Sequence, residues 1–452
     1  MHHFAQIVGE KNVLKGDLSP FLNDQRNRFL GKTCAVLAPE NPQDLAKLMA
    51  YCYENNIAMV PQGGNTSLCG AATPDESGKA VLILLKNLNK IKSVNPLNFS
   101  MEIEAGATLL QAQNAAAEKN RLFPLSLASE GSCQIGGNLA TNAGGVHVLN
   151  YGTMRDLTLG LEVVLPNGKL LNLNKNLRKN NVGYDLKSLF LGSEGTLGII
   201  TAASLRLFAR PADVATLWIA TSNFEAVLPI FCRARENFGA RLSAFEVMNW
   251  SALQKVAAHI PNAKIPFDAP WQIILNIDIF EKNSALTVEN IENWALSLNE
   301  ARIVIAQSQK EAQNLWRLRE NISQAQRQMG LSAKHDIALP IDQIPDFLKS
   351  AESKLRQTFS QVDCVIFGHI GDGNLHYNLF LPDLKNQEST ANAIVYGEVL
   401  KRGGSISAEH GIGVLKKNLL KTTQSPMERH LMLQIKKLLF DPKNLMNPGK
   451  IF

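Results

Sequence analysis

The sequence predicts an α+β protein of two domains, the first wrapped round one extended ligand and the second built on an antiparallel sheet. Three observations predict it. At 452 residues the chain is too long for one ordinary core. Three glycine-rich runs crowd into residues 61–201. Beyond Arg210-Pro211 short strands alternate with helices, up to a His-Ile-Gly-Asp-Gly-Asn turn.

Composition excludes several classes. Hydrophobic residues make up 45% and charged residues 19%, without a low-complexity tract, which is globular rather than disordered usage. The net charge of +6 is spread along the chain rather than gathered in a basic arm, so nucleic acid is not an expected partner. Six cysteines without a CxxC pair read as reduced thiols in a reducing compartment. The opening residues show no basic, apolar or Arg/Ser-rich leader, and no apolar run approaches a membrane span. A cytoplasmic location with no integral membrane segment is expected, any membrane contact being peripheral.

The chain opens with about thirty residues that read as polar helix. Residues 35–39 form a short apolar strand, Asn41 to Asp44 supplies a helix cap, and a helix continues through Leu45. A second apolar strand at 57–61 delivers the chain into Gln62-Gly-Gly-Asn-Thr-Ser-Leu-Cys-Gly70. Here Gly63 and Gly64 let backbone N–H groups approach an anion, while Asn65, Thr66 and Ser67 add side-chain donors. The chemistry suits a pyrophosphate. No lysine follows the glycines, so the loop is neither a Walker A nor a GxGxxG turn.

The run 129–145 is poor in large side chains: Ser129, Gly131, Ser132, Gly136, Gly137, Asn138, Thr141, Asn142, Gly144 and Gly145 dominate it. Such a segment cannot fill a core, and its expected use is close backbone approach to a large cofactor. Residues 159–171 read as a hairpin on an Asn167-Gly168 turn, and 191–201, with Glu194 and Gly195, ends in a strand through Ile199 and Ile200.

After residue 210 strands are expected at 215–220, 271–280, 301–306 and 336–339, with helices at 223–238, 284–298, 311–329, 343–359 and 390–402. A hairpin over 365–380 joins the sheet. It contains His369 and His376 on either side of Gly371, Asp372, Gly373 and Asn374, residues that accept positive φ, so both imidazoles can converge on one ion. A lone histidine near a strand is more often a hydrogen-bonded core or surface residue. Here three of the nine histidines fall within 42 residues, and Ser407-Ala-Glu409-His410-Gly411-Ile-Gly413 adds a carboxylate and the third imidazole. That is the inventory of a divalent-metal site with an open position and a base beside it. On the 311–329 helix Trp316, Arg319 and Ser323 share a face, and Lys334 opens the next strand. Two cations beside such a cluster suit a hydroxy-carboxylate or dicarboxylate. The turn-rich, apolar stretch 439–452 is expected to pack back on the first domain.

Six motifs in order carry a resemblance that runs from about residue 30 onward: Pro61-Gln-Gly-Gly-Asn-Thr-Ser-Leu, the 131–145 run, Gly192-Ser-Glu-Gly-Thr-Leu-Gly-Ile-Ile-Thr, Gly368-His-Ile-Gly-Asp-Gly-Asn-Leu-His, Ser407-Ala-Glu-His-Gly-Ile-Gly and Asn447-Pro-Gly-Lys. The chain resembles the FAD-linked oxidoreductases of the vanillyl-alcohol-oxidase type flavin fold. Its likeness is to the group holding D-2-hydroxyglutarate dehydrogenases, D-lactate dehydrogenases and the glycolate oxidase flavin subunit. The resemblance implies an FAD-binding domain over 1–210, a substrate or cap domain with the metal site over 211–418, and a C-terminal segment, 419–452, returning to the FAD domain. It implies that Pro61 and Gly63 to Ser67 hold the FAD pyrophosphate, that 129–145, Glu194, Gly195, Ile199 and Ile200 line the flavin, and that Asn447 lies near the ring. His369, His376 and Glu409 would bind a divalent metal, zinc by resemblance. His410 would be the catalytic base, and it with Arg319, Ser323, Lys334 and Asn374 would contact substrate.

The implied reaction is oxidation of a D-2-hydroxy acid, D-2-hydroxyglutarate first among them, by hydride transfer to flavin N5 while His410 takes the hydroxyl proton. The FAD is expected to be non-covalent, since no histidine occupies residues 61–70, and an electron-transfer flavoprotein or quinone would take the electrons. A homodimer is the default assembly. The rival readings are a D-lactate or glycolate dehydrogenase with the same chemistry, a flavin-binding subunit without turnover, and a metallohydrolase that uses the metal site alone. Three positions depart from the group's pattern: Ser323 where threonine is general, His335 where tyrosine is usual, and His147 where arginine is common.

Overall fold

The computed structural model describes residues 2–280, 285–298 and 302–452. Two compact units are present: residues 1–144, 152–210 and 409–452 form the first, and residues 145–151 and 211–408 the second. The division thus falls at 408/409 rather than at 418/419, and Gly145 belongs to the second unit. Among the described residues no helix is long and apolar enough to cross a membrane.

In the first unit Ala35–Leu37 and Met59–Gln62 both pair in parallel with Val81–Leu84. The parallel order needs a crossover, and the helix Pro42–Glu54 supplies it, with the Asn41 side chain accepting from the Asp44 amide at its N-terminus. The strand Val81–Leu84 is buried along its whole length, as a central parallel strand must be. An antiparallel sheet follows in the order Ile91–Asn95, Ser100–Glu104, Ile199–Arg206, Thr158–Val164, Leu170–Asn172. Its last pair is the hairpin read from Asn167-Gly168, where Gly168 has φ +81°. The expected polar helix over the first thirty residues is instead two short helices, His2–Val8 and Ser19–Leu22, with a 3-10 turn between them. The last residues do return. Met59 donates to the Leu445 carbonyl and accepts from the Asn447 amide, both at 2.8 Å.

The second unit is built on a sheet whose described strands run in the order Arg302–Ile305, Asp213–Thr221, Trp271–Ile279, Leu242–Asn249, Asp363–Gly368, Asn374–Phe380, Ala333–Ala338, all neighbours antiparallel. Its central strand, Leu242–Asn249, and the helix after it, Trp250–His259, lie in a stretch where no element is expected from the sequence. The strand expected from 301 and the helix expected from 284 begin at Arg302 and Ala285; Ala301 and Ser284 lie outside the described residues. The expected single helix 311–329 is two helices, Gln309–Glu320 and Ile322–Gln328, broken at Asn321, whose side chain caps the first by donating to the Arg317 carbonyl. These two and Trp250–His259 cover one sheet face around Trp218, Met248, Ile274, Val365 and Phe367.

Candidate functional site

In the first unit the glycine runs meet. A Cβ on Gly64 would sit 1.9 Å from the Ser132 carbonyl oxygen, and one on Gly195 2.5 Å from Pro61 Cγ. Only a residue without a side chain allows backbones this close. Asn447 of the returning tail staples the same loops, donating from Nδ2 to the carbonyls of Glu194 (2.8 Å) and Ala71 (3.0 Å). Just before it, the buried Lys436 ammonium donates to the Thr196 and Met446 carbonyls and to Asp441. Burial pushes the Lys436 pKa down, and Asp441 opposes that shift.

Several expected ligand contacts turn out to have internal partners. The Asn65 side chain donates to the Pro20 and Asn23 carbonyls, so its N–H groups are not the anion donors expected of them. Gly136 packs on Ala105, where a Cβ would come within 2.8 Å of the Ala105 Cβ. The run 129–145 does help fill a core, because Cys133, Ile135 and Leu139 are buried and Ile135–Ala140 is helical. Asn138 donates to the Cys133 sulfur, Thr141 to the Gly137 carbonyl, and Asn142 accepts from the Arg155 amide. The Ser129 carbonyl accepts the Ser132 and Cys133 amides. Ile199 and Ile200 are buried strand residues, and Gly144 is buried at the edge of the unit. Glu194, at φ +50°, accepts the amides of Ile412 (2.7 Å) and Gly413 (2.8 Å), so its carboxylate anchors the loop that follows Glu409 and His410. Burial pushes its pKa up, against those two amide bonds and the charges of Lys416 and Lys450.

Other atoms here are left for a ligand. Gln62 Oε1, Asn65 Oδ1, Ser67 Oγ, Gln134 Oε1 and Asn447 Oδ1 are buried without a hydrogen-bond partner. Folded proteins leave few such atoms, and five on adjoining loops mark a polar ligand site. Gly131 and Gly137 face open space, where a ligand can approach the backbone.

In the second unit the chemistry lies on one sheet face. Register pairs Lys334 with Asn378, Asp336 with His376 and Phe367 with His376, and directly opposed residues share a face. The turn between the last two strands closes because Gly373 takes φ +86°, where a Cβ would lie 2.3 Å from the Leu339 carbonyl oxygen. It brings one ring nitrogen each of His369 and His376 within 4.8 Å, close enough for both to ligate one ion. Asp336 stands behind His376, its Oδ1 3.9 Å from Nδ1, and also accepts from Asn374 Nδ2 at 3.0 Å. Asn374 Oδ1 is buried and unpartnered. Lys334 donates to Gln326 Oε1 at 3.1 Å, and Gln326 Nε2 is a buried, unpartnered donor. Ser323 is half-buried in the second short helix, a break in the chain away from Arg319 rather than on one continuous face with it.

Glu246 was not foreseen. It is fully buried, accepts from Arg319 Nε (2.7 Å) and Nη2 (2.6 Å) through Oε2, and bonds His369 Nδ1 (2.5 Å) through Oε1. Burial alone would raise its pKa, but the charges and hydrogen bonds of His369 and Arg319 outweigh burial and hold it at about 2. A glutamate inside the apolar run LSAFEVMN is the signal that could have found it, since a buried glutamate is almost always paired. His335 is on the opposite face to Lys334, buried between the Tyr377 carbonyl and Asn392, so this departure from the family pattern falls outside the cluster.

Residues 210–451 match the model of FAD linked oxidases, C-terminal domain, and residues 34–174 that of an FAD binding domain. The chain belongs to the FAD-linked oxidases. It is 35% identical to D-2-hydroxyglutarate dehydrogenase, mitochondrial, of Arabidopsis thaliana, over 99% of this chain and 80% of that protein. It is also 35% identical to the D-2-hydroxyglutarate dehydrogenase of Stutzerimonas stutzeri, over 96% of this chain and 94% of the relative. The solved structure of p-cresol methylhydroxylase with substrate bound shares the fold, with a TM-score of 0.78 at 18% identity over 100% of this chain and 95% of that one. This is the two-domain flavin fold expected from the motifs. FAD is the cofactor of this FAD-linked oxidase, and the unpartnered polar atoms and open glycines of the first unit fit it.

Proposed function

We propose that the chain oxidises D-2-hydroxyglutarate, or a close D-2-hydroxy acid, to the 2-oxo acid with FAD and a divalent metal. The observation that carries this reading is one sheet face presenting Lys334, Asn374, His376 and the Glu246-bound pair Arg319 and His369, in a chain 35% identical to D-2-hydroxyglutarate dehydrogenases over nearly its whole length. FAD, when bound, takes up two electrons as hydride. A metal held by His369, His376 and Glu409, zinc in this reading, would supply positive charge to the hydroxyl and carboxylate oxygens. Supporting the metal reading, the two histidines offer nitrogens within 4.8 Å of each other, and Glu409 follows Ala408, whose amide donates to the Asp336 carbonyl.

The remaining roles belong to side chains. His410 takes the hydroxyl proton as general base. Arg319, Lys334 and Ser323 hold substrate carboxylate oxygens, fixing C2 in place, and Asn374 turns its unpartnered Oδ1 to the substrate. Pro61, Gly63 to Ser67, the 129–145 run, Glu194, Gly195, Ile199, Ile200 and Asn447 surround the FAD. Electrons leave to a flavoprotein or quinone acceptor. The six free cysteines suit a reducing compartment, here the cytoplasm, and the assembly proposed is a homodimer.

Anaerobic addition of D-2-hydroxyglutarate, D-lactate, D-malate and their L forms tests the reading. D-2-hydroxyglutarate is expected to bleach the flavin fastest, and a chelator or His410→Ala to abolish the bleaching. A flavin that no 2-hydroxy acid reduces would overturn it. One observation favours a second reading, a D-lactate or glycolate dehydrogenase: Glu246 already engages two nitrogens of Arg319, leaving less of that guanidinium for a distal carboxylate. Faster bleaching by D-lactate would select it.

A further inference from the structure

We propose that Glu246 is a positioning residue that sets the metal-binding histidine and the substrate-binding arginine together, through the two oxygens of one carboxylate. The inference rests on the roles given above to His369 and Arg319. The two groups are 50 residues apart in the chain, on different elements, and Glu246 on the central strand meets both. Oε1 meets His369 Nδ1, so ligation of an ion falls to the other ring nitrogen, Nε2, with the ring plane fixed by the bond behind it. Oε2 takes Nε and Nη2 of Arg319 side by side, which orients the guanidinium and directs Nη1 outward from the pair.

Packing holds the pair in register. Arg319 lies over the Phe367 ring, 4.8 Å from its centroid, and the other side of the cluster continues from Phe367 to His376, ring centroids 4.8 Å apart. A substrate that binds through both the metal and Arg319 therefore meets two groups whose separation is set by one side chain. That separation acts as a gauge for the length of the hydroxy acid.

The test uses the full-length flavoprotein. In Glu246→Gln the flavin spectrum is expected to be unchanged. Zinc affinity, read by chelator competition, is expected to fall 10- to 100-fold, the range typical of losing the partner behind a ligating histidine. The KM for D-2-hydroxyglutarate is expected to rise tenfold or more with a smaller change in kcat. Glu246→Asp keeps the charge one methylene further back and should recover part of both losses; if the glutamine variant does not fold, the aspartate variant decides by the same readouts. Zinc affinity and KM both within twofold of the parent overturn the proposal, and so does a change in only one of them, because a single shared anchor must move both. A parent protein that takes up no zinc overturns the metal reading instead, and the KM of the variants then decides whether Glu246 positions Arg319.

Discussion

Glu194 and Glu246 are both buried glutamates, one in each unit, and their surroundings push them in opposite directions. Glu194 is met by two backbone amides, and burial wins, raising its pKa. Glu246 is met by a guanidinium and an imidazole, and charge wins, holding it at about 2. Round Glu194 the hydrogen-bond partners are neutral backbone amides that fix a loop, whereas round Glu246 they are charged side chains on separate elements.

Removing the charge partner should break the comparison most visibly. Glu246→Ala leaves the Arg319 guanidinium buried without a counter-charge and is expected to cost about 3–5 kcal/mol, read as a lower denaturant midpoint. An effect below about 1 kcal/mol would mean the pair is solvated in solution.

A glycine pair comes next in size. Gly64→Ala drives a Cβ into the Ser132 carbonyl and should cost about 3 kcal/mol of stability along with the flavin. Gly137→Ala adds its methyl to open space in a helix, so stability should hold within about 0.5 kcal/mol. FAD affinity of that variant should still fall at least tenfold. Flavin-to-protein ratio and thermal midpoint, measured on both, separate packing glycines from ligand-facing ones.

Glu194→Gln keeps an oxygen for one of the two amides and is expected to cost about 1 kcal/mol at pH 7. Its raised pKa means that the folded state binds the proton more tightly than the unfolded chain does. Stability from this group is therefore greatest below the ordinary glutamate value and is lost as pH rises through the folded value, so the parent-minus-variant difference should shrink as pH rises.

The smallest effect has the reverse sign. Glu398, bonded to Lys354, Ser350 and Arg402, is held at about 2 against an ordinary 4.5, the Lys354 and Ser350 hydrogen bonds leading. Its stabilisation, about 1 kcal/mol, is present above pH 4.5 and should disappear as pH falls toward 2. Urea melts of Glu398→Gln and its parent between pH 7 and 2.5 should converge at the acid end. Curves that stay parallel would show the cluster to be inert.

Local features were readable from the sequence where chemistry is written in consecutive residues. Asn41 as a helix cap, the Asn167-Gly168 hairpin and the His369 to His376 turn all depend on neighbours within a few positions. The strand Leu242–Asn249 was not readable. As the central strand it is covered on both faces, so it shows no alternation of polar and apolar residues, and its one glutamate looks like an interruption. The helix break at Asn321 was hidden for a related reason, because Arg319 and Ser323 keep helical spacing across it.

The family, the glycine loops and the histidine turn are legible in the order of residues alone, because φ preferences and short-range spacing are properties of adjacent residues. Which carboxylates bond to the protein's own groups is set by long-range contacts in the fold. Glu194 reaches Ile412 and Gly413 more than two hundred residues away, and Glu246 joins Arg319 to His369 across 73 and 123 residues. No local pattern encodes such partners; sheet register and burial choose them, since a buried charge must find its counterpart wherever the fold has put it.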